Sequence, residues 1–243
     1  MRGVYRIAEK NIEIISVYPY IHRQCADYRD DGKCDFSVET TRQDIDFERE
    51  KIDRDAMQEG QGIVQYSDAF IESIMVYRKI AEVMPAYDTF LFHGSAIAVD
   101  GLAYLFTAKS GTGKSTHTYL WREMLGTRAI MVNDDKPLIR ITGDKATIYG
   151  TPWQGKENIG NNISVPLKAV CLLERAERNH IRAITKGEAY AMLLQQAYRP
   201  MNGEAMRKTL RLLDGLCERV QLYKLGCNMD IEVAEIAYNA MKG

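Results

Sequence analysis

Little in this 243-residue chain would tie it to a membrane, a secretory route or a nucleic acid. No apolar run approaches the ~20 residues needed to cross a bilayer. The opening MRGVYRIAEKNIEII lacks the apolar stretch and cleavage signal of a leader. No charge of one sign dominates: 32 basic residues stand against 33 acidic ones, for a formal net charge of −1. Binding to a nucleic acid or an acidic lipid surface draws on clustered excess lysine and arginine, and this balance supplies none. Cysteines number only five, an odd total, and Cys25, Cys34, Cys171, Cys217 and Cys227 show no paired metal-ligand spacing. The four histidines, His22, His93, His117 and His180, do not cluster either. The absences describe a soluble cytoplasmic protein with no structural zinc, no disulfide framework, no nucleic-acid partner and no membrane partner.

Among the features present, residues 1–66 read as strand-rich and irregular. NIEIISVYPYI has strand-like density of β-branched and aromatic residues, while TRQDIDFEREKIDRDAMQEGQG reads as a solvated, charged surface segment. From Asp68 to Met84 a helical stripe collects Phe70, Ile71, Ile74, Tyr77, Ile80, Ala81 and Met84, with Asp68 as N-cap and Pro85 as stop. Residues 1–88 are therefore expected to form an accessory region, and residues 89–243 a core.

In the core, FLFHGSAIAVDGLAYLFTA reads as a strand and a hairpin turned at Asp100-Gly101. Its second arm runs into a glycine-rich loop, followed by a helix from Ser115 to Leu125 that stops at Gly126. RAIMV is a short strand ending at NDD, and LIRITGDKATIYG a second hairpin. After strands LKAVCLLER and HIRAI the remainder is largely helical. Thr185 and Glu188 form a capping box, a helix covers 203–218, VQLYKL is a late strand, and Asp230 caps a closing helix. The pattern predicts an α/β fold on a mixed, partly antiparallel sheet with a helical C-terminal tail.

AKSGTGKS is a Walker A pattern with Ala108 in the place of the first glycine. Gly111 and Gly113 allow the backbone to curl and aim its amides inward. The helix beyond the loop adds the positive end of its dipole. Ser110, Gly111, Thr112, Gly113, Lys114, Ser115 and Thr116 are thus the candidate cradle for a nucleotide's phosphates. Lys114 would reach the β- and γ-phosphates, and the Ser115 hydroxyl suits Mg²⁺. Asp134 and Asp135 end the next strand, where neighbouring side chains point opposite ways, so the pair is expected to divide its labour between metal and acceptor. GTPWQGKENIG, with Trp153, Lys156, Glu157 and Asn158, either packs a base or closes over phosphates, or is an ordinary connection around a buried Trp.

HG before the hairpin, SGTGKST after it and NDD ending the next strand together resemble the HPr kinase/phosphorylase catalytic domain, whose fold is shared with the phosphoenolpyruvate carboxykinases. The likeness covers residues 89–175 well and the tail loosely. It implies Mg²⁺-dependent transfer of phosphate from ATP, with GTP not excluded, to a serine or threonine hydroxyl of a protein or peptide. It implies Asp134 as the catalytic carboxylate with His93 beside it, Asp135 and Ser115 on the metal side, and Lys114 on the transferring phosphate. A homo-oligomer is implied as well. Departures are Ala108, Tyr149 near the position of a family glutamate, and the lack of a glycine-arginine-asparagine segment, so neither the reverse reaction nor HPr as target is implied. TPWQGKE and NDDKP look like the small HPr-kinase-like proteins found beside peptide-modification genes. The alternatives are a nucleotide-binding regulator or sensor, and a kinase of a small-molecule hydroxyl.

Overall fold

The runs RGVYRI and KNIEII form β1 (Arg2–Ile7) and β2 (Lys10–Ile15), an antiparallel hairpin turned at Ala8 and Glu9, both at positive φ. A computed structural model describes every residue except Glu59, Gln61, Lys156 and Met229. The chain divides into two compact units, Met1–Glu82 and Val83–Gly243. In the first unit a short helix α1 (Tyr20–Gln24) precedes β3 (Phe36–Glu39), which adds to β2 in parallel. Two helices come next, α2 (Arg42–Gln58) and α3 (Asp68–Val83).

The charged segment is largely exposed, as expected, but it forms helix α2 where residues 1–66 read as strand-rich and irregular; Glu59 and Gln61, near that segment's end, lie outside the described residues. It buries only Ile45 and Glu48, so its apolar periodicity is too thin to announce a helix. The missed signal is at its start. The Thr41 amide donates to Asp44 Oδ2 at 2.8 Å and the Asp44 amide returns to Thr41 Oγ1 at 3.3 Å, the reciprocal pattern of a capping box.

Helix α3 is where the stripe predicts it, but turned about its axis. Its buried face is Ile71, Glu72, Ser73, Met75, Val76, Ile80 and Ala81, while Phe70 is exposed. The buried carboxylate explains the rotation. Glu72 accepts from the Val17 amide at 2.6 Å, the Tyr18 amide at 2.9 Å and Thr40 Oγ1 at 2.6 Å. A buried charge is tolerated only with such partners. Ser67, not Asp68, takes the capping bond from the Phe70 amide, and Asp68 instead pairs with Arg42 and Arg49.

The second unit is an α/β structure on one mixed sheet. Its elements are β4 (Thr89–Leu91), β5 (Gly94–Val99), β6 (Leu102–Thr107), α4 (Lys114–Leu125), β7 (Ala129–Asp135), β8 (Leu138–Thr142), β9 (Lys145–Tyr149) and β10 (Ser164–Arg175). They are followed by β11 (His180–Ala183), α5 (Lys186–Gln196), α6 (Gly203–Arg219), β12 (Gln221–Cys227) and α7 (Glu232–Met241). The sheet runs β4-β8-β9-β10-β6-β5-β7, with β12 beside β10 and β11 beside β12.

β10 is parallel to β6 and β12, and β5 is antiparallel to both β6 and β7. Hence β6, β7, β10 and β12 point the same way and end on one edge. Two short links also fix the curvature of the sheet. Phe92-His93 joins β4 to β5, and Lys136-Pro137 joins β7 to β8, although each pair sits towards opposite ends of the strand order. The sheet must curl until its ends meet, and the Phe92 amide bonds the Pro137 carbonyl at 3.1 Å across the closure.

Each face carries its own core. Helices α5 and α6 cover Phe90, Leu105, Val132 and Val170 with Leu193, Leu213 and Leu216. Helices α4 and α7 cover Phe106, Met131 and Leu225 with Trp121, Val233 and Ala237. The Thr185–Glu188 capping box is present. The tail is not an appendage, because β12 pairs with β10 inside the main sheet. Asp230 does not cap α7; its carboxylate takes the Asn228 side chain at 2.7 Å. All five cysteines are free thiols, and among the described residues no helix is long and apolar enough to cross a membrane.

Candidate functional site

The site lies where the parallel strand ends meet the sheet closure. β6 passes through buried Ala108 into the loop, and Ala108 does not take the left-handed conformation, so alanine is unstrained there. Gly111 and Gly113 do take it, at φ 73° and 112°. A side chain at either would cost about 1–2 kcal/mol from backbone strain alone. Gly113 is the N-cap of α4, whose first amides, at Lys114, Ser115 and Thr116, have no partner within the helix. Ser110 is exposed, Thr112 is half-buried and its amide closes a turn on the Lys109 carbonyl at 3.3 Å. The loop thus ends at a helix start with free first-turn amides, the kind of place where anions bind.

Lys114 folds back over this loop, its Nζ 3.2 Å from the Ala108 carbonyl. Burial lowers its pKa; Lys136 lowers it further, and Asp135 and Asp134 oppose. Arg175, at the end of β10, donates from Nη2 to the Gly111 carbonyl at 2.8 Å. Only the parallel pairing of β10 with β6 brings that guanidinium to the loop, and the residue was not singled out from sequence. Its one signal is position, an arginine ending the strand LKAVCLLER.

A bulge at the middle of β7 breaks the register with β5 between Ala96 and Ile97 and re-aims the residues at the strand's end. Asp134 then lies opposite Ser95, and Asp135 opposite Gly94. Asp134 is buried, and its Oδ1 accepts from Ser95 Oγ at 2.5 Å. Burial raises its pKa, against the hydrogen bonds of the Ser95 and Ser115 hydroxyls. Asp135 turns the other way: its Oδ1 is 3.4 Å from His93 Nε2 and 3.2 Å from Lys136 Nζ. The expected neighbourhood is therefore corrected. His93 stands beside Asp135 rather than Asp134, and the loop serine, Ser115, meets Asp134 rather than Asp135. Burial, with Lys136 and Lys114, pushes the His93 pKa down to about 4, leaving the ring neutral at pH 7.

Asn133 is the unforeseen support of this pair. Fully buried, it accepts the Asp135 and Lys136 amides on Oδ1, at 2.9 and 2.7 Å. Its Nδ2 donates to Thr151 Oγ1 and to the Thr151 and Trp153 carbonyls, at 3.1–3.2 Å. It thus ties the strand end to the loop after β9. In that loop Trp153 is buried, Glu157 is exposed, and Lys156 lies outside the described residues. Gly155 passes so near Asp134 that a Cβ would come within 2.7 Å of the Asp134 carbonyl and 3.0 Å of Oδ2.

The Ser115 hydroxyl and the Asp134 carboxylate form a small, hard oxygen set. That suits Mg²⁺, which takes one or two protein oxygens and completes its shell with water and substrate phosphates. Among the described residues no group of three or more His, Cys, Asp or Glu is arranged to hold a metal, as zinc would require.

No curated protein matches the chain. Among solved structures, the HPr(Ser) kinase/phosphatase from Coxiella burnetii is similar over 63% of this chain and 99% of that one, at 11% identity and a TM-score of 0.35, a likeness too slight to carry a fold or a function across. The family model of the SynChlorMet cassette protein ScmC matches residues 63–234, most of the chain, and the chain belongs to the ScmC family.

Proposed function

We propose that this protein is a Mg²⁺-dependent, ATP-using kinase that passes the γ-phosphate to a serine or threonine hydroxyl of a protein or peptide, on a P-loop core of the HPr kinase and phosphoenolpyruvate carboxykinase type. The observation that carries this reading is the parting of two adjacent carboxylates: Asp134 turns to the hydroxyls of Ser95 and Ser115, and Asp135 to His93 and Lys136. One reaches the metal side of a bound nucleotide while the other is left for the acceptor.

In this reading the amides of residues 110–116 wrap the β-phosphate, and Lys114 meets the transferring group. Ser115 and Asp134 would hold Mg²⁺, which when bound would neutralise charge on the transferring phosphate. Asp135 aligns the acceptor hydroxyl and takes its proton as the new O–P bond forms and the bond from Pγ to the bridging oxygen breaks, releasing ADP. Neutral His93 and cationic Lys136 keep Asp135 aimed. This reading gives the two aspartates the opposite roles to those the resemblance implies, and the contacts of Asp134 with Ser95 and of Asp135 with His93 support it.

The test is transfer from γ-labelled ATP with Mg²⁺ to serine-bearing peptides, comparing the wild type with Asp135→Asn and Lys114→Ala. Phosphopeptide lost in both variants supports the kinase. ADP release that needs no peptide and survives Asp135→Asn supports a nucleotide-binding regulator instead.

A further inference from the structure

Two buried hydroxyls beside Asp134 have no part in the chemistry above. Ser95 and Thr118 are each 1% exposed. Ser95 Oγ binds Asp134 Oδ1 at 2.5 Å and lies 2.8 Å from Thr118 Oγ1. Thr118 Oγ1 in turn is 3.1 Å from the Ser115 carbonyl and 3.4 Å from that of Lys114. Ser95 comes from β5 and Thr118 from the second turn of α4, so the chain of contacts runs from strand to carboxylate and back to the turn that carries Lys114 and Ser115.

We propose that Ser95 and Thr118 are positioning residues that lock the Asp134 carboxylate in register with Ser115, so that the two metal-side oxygens act as one preformed pair. This rests on the placement of Asp134 on the metal side. Proton accounting sets the direction. The one Ser95 proton goes to Oδ1 of the ionised carboxylate, so the bond between the hydroxyls takes the Thr118 proton. Ser95 holds Oδ1, while Oδ2 lies beside Gly155, where a Cβ would come within 3.0 Å. Thr118 is carried one turn beyond Lys114 and Ser115 on α4, so its hydroxyl moves with that helix. Movement of the first turn is therefore felt at Asp134 through two hydroxyls. Partners of this kind change metal affinity by about 10–100-fold when removed.

The experiment is Mn²⁺ binding to the protein with ADP, read by electron paramagnetic resonance, together with ADP affinity in the absence of metal. Ser95→Ala and Thr118→Val are expected to weaken Mn²⁺ binding by about 10-fold and to leave metal-free ADP affinity unchanged, while Thr118→Ser, which keeps the hydroxyl, binds as the wild type does. A normal thermal melt for Thr118→Val excludes general unfolding. If Asp134→Asn weakens Mn²⁺ binding but Ser95→Ala and Thr118→Val do not, this inference alone is wrong. If Asp134→Asn binds Mn²⁺ as the wild type does, the metal-side placement of Asp134 falls, and this inference with it.

Discussion

His93 Nε2 and Asp135 Oδ1 face each other at 3.4 Å across the point where the curled sheet closes. Asp134, one residue earlier, shares none of that contact and is buried against Ser95. The bulge in β7 and the antiparallel register with β5 put the two side chains into different surroundings. Asparagine at 135 should lower the transfer rate by about 10²–10⁴-fold, the usual range for loss of a general base, and leave Mn²⁺ and ADP binding near the wild-type level. Single-turnover transfer measured beside nucleotide binding checks both halves.

Arg175 offers a test of how the loop is preset. Its Nη2 bonds the Gly111 carbonyl and so ties the end of β10 to the loop. Arg175→Ala should weaken ATP and ADP alike, by roughly fivefold for a net loss of about 1 kcal/mol. Calorimetric titration with each nucleotide decides it; a loss confined to ATP would instead make Arg175 a direct contact to the γ-phosphate.

Asn133→Ala removes the side chain that satisfies two strand-end amides and three acceptors of the following loop, all buried or nearly so. Unpaired buried polar groups cost about 1–3 kcal/mol each, so a total of roughly 3 kcal/mol or more is expected. Thermal or urea unfolding of the full chain measures it.

His117 predicts a pH dependence of stability. It is buried on α4, its Nε2 accepts from Trp121 Nε1 at 3.1 Å, and burial pushes its pKa down to about 3. The unfolded histidine titrates near 6.5, so between pH 6.5 and about 3 the unfolded chain holds the extra proton. The stabilisation from the neutral ring is complete above that window and is lost as the pH falls through it. Melting temperature against pH should show the decline, and His117→Gln should flatten it.

In the first unit, Glu72→Ala leaves the Val17 and Tyr18 amides without their acceptor. Hydrogen exchange at those two amides should speed by at least tenfold, the equivalent of roughly 1.4 kcal/mol. Unchanged protection there would mean that the turn holds without the carboxylate.

The sequence alone was enough for whatever depends on neighbouring residues. The turn at Asp100-Gly101, the capping box of Thr185 and Glu188, the left-handed glycines Gly111 and Gly113 and the helix after the loop, expected from Ser115 and found from Lys114, all arise from local backbone preferences and periodicity. Helix α2 escaped because it buries a single apolar side chain, Ile45, on a charged surface, and its one signal, Thr41 with Asp44, is weak without a hydrophobic repeat. The face of α3 escaped because a buried glutamate, which no apolar stripe can show, turned it toward the amides it satisfies.

The company each site residue keeps was set by long-range folding instead. The resemblance set His93 beside Asp134, whereas the register of β5 against β7 and the bulge between them set Asp135 before it and Ser95 before Asp134. Arg175 and Gly111 are 64 positions apart and meet only because β10 and β6 run parallel and end together. Sequence governs backbone angles residue by residue, since those respond to sterics within a few positions. Pairing between distant strands is chosen by the closing of the sheet and the filling of both cores, which is a property of the whole fold.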